Sequence, residues 1–245
     1  MTGARKLIVP GLLAFALFNL LVSLGVWQLN RMAWKQRQIA QIETRAKAPP
    51  LELIDITPAM RDPASAPALD FSRVKATGAF DHSRELHLIA PQRQGAGWMV
   101  ITRFDMADGP VLVMRGVAPD ELRDPARRPD GQVGGQITIE GRIRAGEQAG
   151  WLTPANDVAR NAWFWRDLAG MQRAAGFDLS NRTLPFFIEL ESPVPPGGLP
   201  RPQLDAINLR NDHLQYAITW FALSIVLIVM FFVWARSQLK KDAAT

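Results

Sequence analysis

Four side chains between residues 213 and 224 have the types and the spacing for ligand chemistry. His213, Tyr216, Trp220 and Ser224 follow one another by three or four positions, which on a continuous helix stacks them on one side. An imidazole near a membrane surface can coordinate a metal or haem iron, or titrate near neutral pH. Trp27, Arg31 and Trp34 repeat that spacing toward the other end of the chain. An ordinary aromatic belt with snorkelling cations accounts equally well for Trp27, Arg31, Trp34, Tyr216 and Trp220. A histidine adds nothing to such a belt, so His213 is the residue that calls for a function.

The elements that must position these groups are two charge-free apolar runs. Residues 7–29 contain no charged side chain, and a helix of that length covers roughly 35 Å, enough to cross a bilayer. Residues 217–234 are equally free of charge. The first run follows Arg5 and Lys6 but is too long for a signal peptide, and no small-residue cleavage pattern follows it, so it reads as an uncleaved anchor. The expectation is a transmembrane helix over 7–29, a second over 213–235, tails at 1–6 and 236–245, and a domain at 30–212 between them. Basic residues at both termini place the tails in the cytoplasm and the domain outside. Matching depths from the two midpoints predicts that Asn19 and Ser224 meet near the bilayer centre, and sets Trp27 and Gln28 opposite residues 212–216.

The net charge of +5 does not indicate a nucleic-acid partner. Residues 36–210 carry 21 Arg or Lys against 21 Asp or Glu, so the surplus flanks the spans, where it suits anionic lipid. With no cysteine, disulfides, thiol catalysis and thiolate metal sites are excluded.

Between the spans the chain reads mostly as strands. Residues 136–144 alternate, with Ile137, Ile139 and Ile143 on one face, and Val74, Ala76 and Phe80 share a face in the same way. Further strand-like runs cover 84–90, 97–104, 110–117 and 184–190. Residues 166–176 make the best helix, stopped by Gly176, and the Pro-, Asp- and Gly-rich stretches 57–70 and 118–135 read as loops. The predicted fold class is an α+β membrane protein, two transmembrane helices flanking a mostly antiparallel, barrel-like extracytoplasmic domain with one or two helices. His82 and His87, an odd number apart in a strand, point to opposite faces and read as solvated residues that cannot share a metal. No serine sits in a nucleophile elbow and no phosphate loop occurs, so the chain is not read as an enzyme. Trp163, Phe164 and Trp165 are consecutive. A buried aromatic cluster is the simpler account of them, and Asn161, Trp163, Trp165 and Arg115 are the candidates for a partner-facing patch.

Several stretches together resemble one family. "LGVWQLNRMAWK" (24–35) is similar to the Gly-x-Trp-Gln-Leu-x-Arg pattern at the end of the first span of the Surfeit-locus-one proteins, assembly factors for cytochrome c oxidase. "NDHLQYAITWF" (211–221) resembles the start of that family's second span, and 74–80, 97–119, 137–147 and 154–167 resemble its soluble core in order and spacing. Met114 and Val117 depart from the family's Asn-Arg-Gly-Trp around Arg115 and Gly116. The resemblance implies a multi-pass protein of the bacterial cytoplasmic membrane with a periplasmic domain, which binds haem a transiently and helps insert it into the catalytic subunit. It implies His213 as the axial ligand of the haem iron. Tyr216, Trp220, Trp27 and Arg31 complete the expected haem site, with Arg31 or Lys35 pairing with the propionates. The oxidase catalytic subunit, haem a synthase and membrane lipid are the implied partners. A scaffold that stabilises an oxidase subunit without touching haem is the alternative, with His213 hydrogen-bonded near Asn211 or Gln28.

Overall fold

The computed structural model describes residues 3–60, 67–90, 97–178, 183–204 and 211–243. It separates into a helical unit, residues 1–41 with 207–245, and a sheet unit, residues 42–206.

The helical unit is built from α1 (Gly3–Lys47) and α4 (His213–Ala243), both long and apolar enough to cross a membrane. Helix α1 runs 18 residues beyond the apolar stretch that ends at Leu29. Residues 30–47 are dominated by Ala, Gln, Lys, Arg and Glu, all good helix formers, with no Gly or Pro before Pro49 and Pro50. Residue 30 is therefore a boundary of hydropathy and not of secondary structure. The two helices meet along a narrow seam. Gly25, Ala217 and Ser224 are buried, and a Cβ added at Gly25 would lie 2.6 Å from Cε1 of Phe221. Small residues at the contact let the backbones approach, the device by which helices pack closely in membranes. The expected Asn19–Ser224 pairing does not form. Asn19 is exposed and donates to its own helix at Phe15 O (2.8 Å), and Ser224 donates to Phe221 O (2.7 Å). Each polar group is satisfied one turn back, so neither needs the other.

In the sheet unit the strands are β1 (Leu51–Glu52), β2 (Arg73–Ile89), β3 (Gly97–Met106), β4 (Gly109–Pro119), β5 (Gln136–Arg144) and β6 (Phe187–Ser192). The order is β1-β2-β3-β4-β6-β5, with β5 also pairing with β2. Pairings β1·β2 and β4·β6 are parallel and the others antiparallel. The expected barrel-like sheet is met in part: the sheet is mixed and is not a true barrel. Strand β2 carries β5 along Arg73–Ala79 and β3 along Gly78–Ile89, with a register shift between Asp81 and Leu86. One long, interrupted strand thus serves two neighbours in succession, and the mixed sheet comes back on itself through the β2·β5 pairing without making a regular, uniform wall.

Both faces of the central strands are covered. Val111 and Val113 of β4 and Ile188 of β6 join Val74, Ala76, Ile139 and Ile143 in one core, capped by Leu53 from α2 (Leu53–Met60). Leu112, Met114 and Phe187 face the other way into a second core, completed by Trp163 and by Met171 of α3 (Leu168–Ala174). Strands buried on two sides read as continuous apolar runs, as 110–114 does. The expected helix at 166–176 is α3, capped by Asp167 through Gly170 N (3.0 Å). In the expected loop 57–70, residues 61–66 lie outside the described residues, while 53–60 form α2.

Strand β4 is interrupted at Arg115 and Gly116, where its register against β3 shifts between Val100 and Ile101. Gly116 has φ +134°, and an added Cβ would lie 2.0 Å from Arg201 O, where Val117 and Arg201 exchange two backbone hydrogen bonds. Gly116→Ala is expected to lower stability by at least about 2 kcal/mol, read as a fall in the unfolding midpoint of the full chain followed by tryptophan fluorescence.

Candidate functional site

His213 opens α4, half-buried on the side that faces α1. Its Nδ1 lies 2.7 Å from Oε1 of Gln28. An amide oxygen only accepts, so this contact puts the proton on Nδ1 and leaves the lone pair on Nε2. Nε2 has no protein partner among the described residues. Asn211 reinforces the same end of the pair by donating to Met32 O (3.4 Å). His213 thus meets the stretch of α1 expected opposite it, at Gln28, the partner named in the scaffold alternative, and not at Trp27.

The aromatic residues are arranged differently from the expected stack. Ala217, one position after Tyr216, takes the buried place in the seam, and Tyr216 is 57% exposed. Trp27 is 56% exposed, because its neighbour Gln28 occupies the inward position. Trp220 is half-buried. Arg31 is exposed and lies 4.0 Å from the Trp34 ring centroid, a cation–π pair along one helix face. His213 and Trp220 therefore share the inner side of α4, and Trp27 and Tyr216 present their rings outward.

The sheet unit contains a second concentration of polar chemistry that residue spacing did not reveal. Glu85, His87, Arg115 and Arg128 are all buried. Glu85 Oε1 accepts from His87 Nε2 (2.7 Å) and from Arg128 Nη2. His87 Nδ1 accepts from Arg123 Nε and Asn161 Nδ2, each at 3.3 Å. Arg123 lies 3.8 Å from the Trp98 ring centroid and donates to the carbonyls of Arg160 and Asn161. Asn161 donates to Glu85 O (2.7 Å) and accepts from Trp163 Nε1 (3.1 Å). Arg115 Nη2 donates to Gly131 O, and its Nη1 lies 3.5 Å from His82 Nδ1.

This arrangement overturns the reading of His82 and His87 as solvated strand residues. The register shift between Asp81 and Leu86 breaks the strict alternation on which that reading depended. The 118–135 segment supplies Arg123 and Arg128 to cover His87. His82 is half-buried, with Nε2 2.9 Å from Val133 O, and burial holds its pKa below the ordinary histidine value. Both histidines line one open cleft with Glu85, Asn161 and Trp163. No group of three or more His, Asp or Glu side chains suited to a metal occurs among the described residues. Trp163 and Arg115 are each 1% exposed, and Asn161 directs its side chain into the network, so these candidates for a partner-facing patch are interior groups. Trp165 is half-buried, with its carbonyl 3.4 Å from Asn156 Nδ2, and Phe164 is the exposed member of the aromatic run.

Burial alone would raise the Glu85 pKa, but the hydrogen bonds and charges of His87 and Arg128 outweigh it and hold the carboxyl below the ordinary value of 4.5. A depressed carboxylate stabilises the fold above its unfolded pKa, and that contribution is lost as pH falls through the folded pKa. Glu85→Gln leaves Arg128 buried without its counter-charge and is expected to cost about 3–5 kcal/mol. The wild-type chain is expected to lose stability as pH drops below about 4.5, and the variant to show a flatter acid limb, both read from unfolding midpoints across pH.

Comparison with known proteins agrees with the resemblance carried by residues 24–35 and 211–221. The model of the SURF1 family matches residues 15–225. A protein named Surfeit locus protein 1 from Homo sapiens is 34% identical over 229 residues, covering 85% of this chain and 72% of that protein. The Surfeit locus protein 1 of Xenopus tropicalis is 32% identical over 240 residues, covering 90% and 73%. A SURF1-like protein from Rickettsia conorii is 30% identical over 243 residues, covering 94% and 92%. With matches that run from the first apolar helix through the sheet unit into the second, the chain belongs to the SURF1 family.

Proposed function

We propose that this chain is an assembly factor for cytochrome c oxidase that binds haem a transiently and assists its insertion into the catalytic subunit. In this reading α1 and α4 cross the bacterial cytoplasmic membrane, both termini are cytoplasmic and the sheet unit is periplasmic. Family membership supports the assembly role. The observation that carries the haem assignment is the Gln28–His213 hydrogen bond.

Histidines that bind metals commonly donate their other ring N–H to a fixed acceptor, which sets the tautomer and the ring orientation. Gln28 does that for His213, so the residues present fit a haem iron at Nε2. Bound haem would bring the iron centre and its two propionates. The protein's part is to present an oriented imidazole and apolar surface beside it. Trp220, half-buried on the same inner side of α4, supplies that surface, and Arg31 supplies a cation suited to a propionate. His213 would be the protein's ligand to the iron in this reading, so release would require the loss of one such bond.

A second reading draws on the same hydrogen bond. His213 is satisfied within the helix pair as a structural histidine would be, and the chain would then be a scaffold that stabilises an oxidase subunit without contacting haem.

The two readings separate on spectra. Protein purified from cells making haem a is expected to show a reduced haem spectrum, lost in His213→Ala and weakened about 10–100-fold in affinity in Gln28→Leu. A haem-free wild type, or a His213→Ala protein with unchanged haem content, would leave the scaffold as the better reading.

A further inference from the structure

We infer that the turn formed by residues 150–153 is a lipid contact, with Trp151 and Leu152 entering the headgroup boundary of the bilayer that α1 and α4 cross. This contact presupposes the membrane-crossing helices of the proposed function and is independent of haem.

Trp151 is 93% exposed and Leu152 74%, more than any other large apolar side chain among the described residues. Two adjacent apolar groups given up to water in this way mark an interaction site. Their exposure is built into the backbone. They are the two central residues of a tight turn, closed by Thr153 N to Gly150 O (3.0 Å) and by Gly150 N to Thr153 Oγ1 (2.8 Å). The loop that carries the turn is fastened at both ends to residues 164–166. Glu147 donates its backbone N–H to Arg166 O (2.9 Å) and pairs its carboxylate with the Arg166 guanidinium (2.6 Å). Asn156 Oδ1 accepts from Phe164 N (2.8 Å). The tip is thus held in a fixed shape, and presenting the two side chains to a partner costs little further ordering.

Size, charge and tethering select lipid over protein as that partner. A stable protein interface buries roughly 1,000 Å² or more, and one Trp beside one Leu at the tip of a turn supplies roughly a few hundred at most. Lipid needs no matching recess to take up such a tip. Residues 148–156 carry no charge, so nothing beside the tip resists losing its hydration in the boundary region. Tryptophan suits that depth, with an apolar body and a single N–H for the wet side. So small an anchor binds lipid weakly by itself. The sheet unit, however, continues at residues 42 and 206 into the segments that lead to α1 and α4. It is tethered to the bilayer at both ends, and a weak contact is then enough.

The chain has no cysteine, so one introduced thiol carries an NBD fluorophore without background. The test uses the full chain in phosphatidylcholine nanodiscs, labelled at Ala149→Cys beside the intact tip, at Val194→Cys as an aqueous reference, or at Ile225→Cys in α4. All three positions are exposed. With lipid spin-labelled at the top of the acyl chain, the Ala149 label is expected to lose at least about half its emission, while the Val194 label responds to iodide instead. Adding Trp151→Ser and Leu152→Ser is expected to return the Ala149 label to the Val194 level. An Ala149 label reached by iodide and not by spin-labelled lipid would overturn the assignment and leave the tip to a protein partner, which these nanodiscs lack. A lipid response that survives loss of both tip side chains would overturn it too. Lipid spin-labelled at the chain end reads the Ile225 position and separates the two failures. Quenching at Ile225 with none at Ala149 rejects the turn contact alone, and quenching at neither rejects the membrane-crossing helices together with it.

Discussion

A buried polar group without a hydrogen-bond partner costs roughly 1–3 kcal/mol, and a buried charge more. That cost organises both units of this protein. In the sheet unit it draws Arg123, Arg128, His87 and Asn161 around the single carboxylate of Glu85. In the helical unit it joins Gln28 to His213 across the seam. The groups that apolar packing leaves over are satisfied by side chains far apart in sequence, and these are the places where ligand chemistry becomes possible.

The Glu85 network also explains how irregular segments are held. Residues 118–135 form three short 3₁₀ turns, joined by little regular structure, yet Arg123 and Arg128 tie them to β2 through side chains and carbonyls. The 161–163 segment lies beside the same half of β2, with Trp163 N bonded to His87 O (3.0 Å) and Ile89 N to Trp163 O (2.8 Å). Two connections that would otherwise be loose are thereby fixed on the sheet, and the open cleft lined by both histidines owes its walls to them.

In the helical unit, close approach and polarity work together. Gly25 and Ala217 take up little room, so the helices come near enough for the shorter polar side chains at their ends to meet. Bulkier residues in those places would hold the helices apart and leave His213 to solvent or lipid. The Gln28–His213 bond thus rests on steric features several residues away, and the tautomer that exposes Nε2 rests in turn on that bond.

Periodicity and composition determined a good deal of this protein by themselves. Charge-free runs marked both long helices, alternation located β5 with its inward Ile139 and Ile143, and the residue order at 24–35 and 211–221 carried the family, because each of these signals is local in sequence. Tertiary structure decided the rest. The fate of His87 turned on a register shift in β2 and on arginines about 36 and 41 positions away. The folding-over of the sheet depended on how β2 divides its pairing between β3 and β5, and the outward turn of Tyr216 on Ala217 taking the buried place on that turn of α4. Burial and hydrogen-bond partnership are properties of the assembled chain, since they depend on groups that approach one another only after folding, and no spacing along the sequence encodes them.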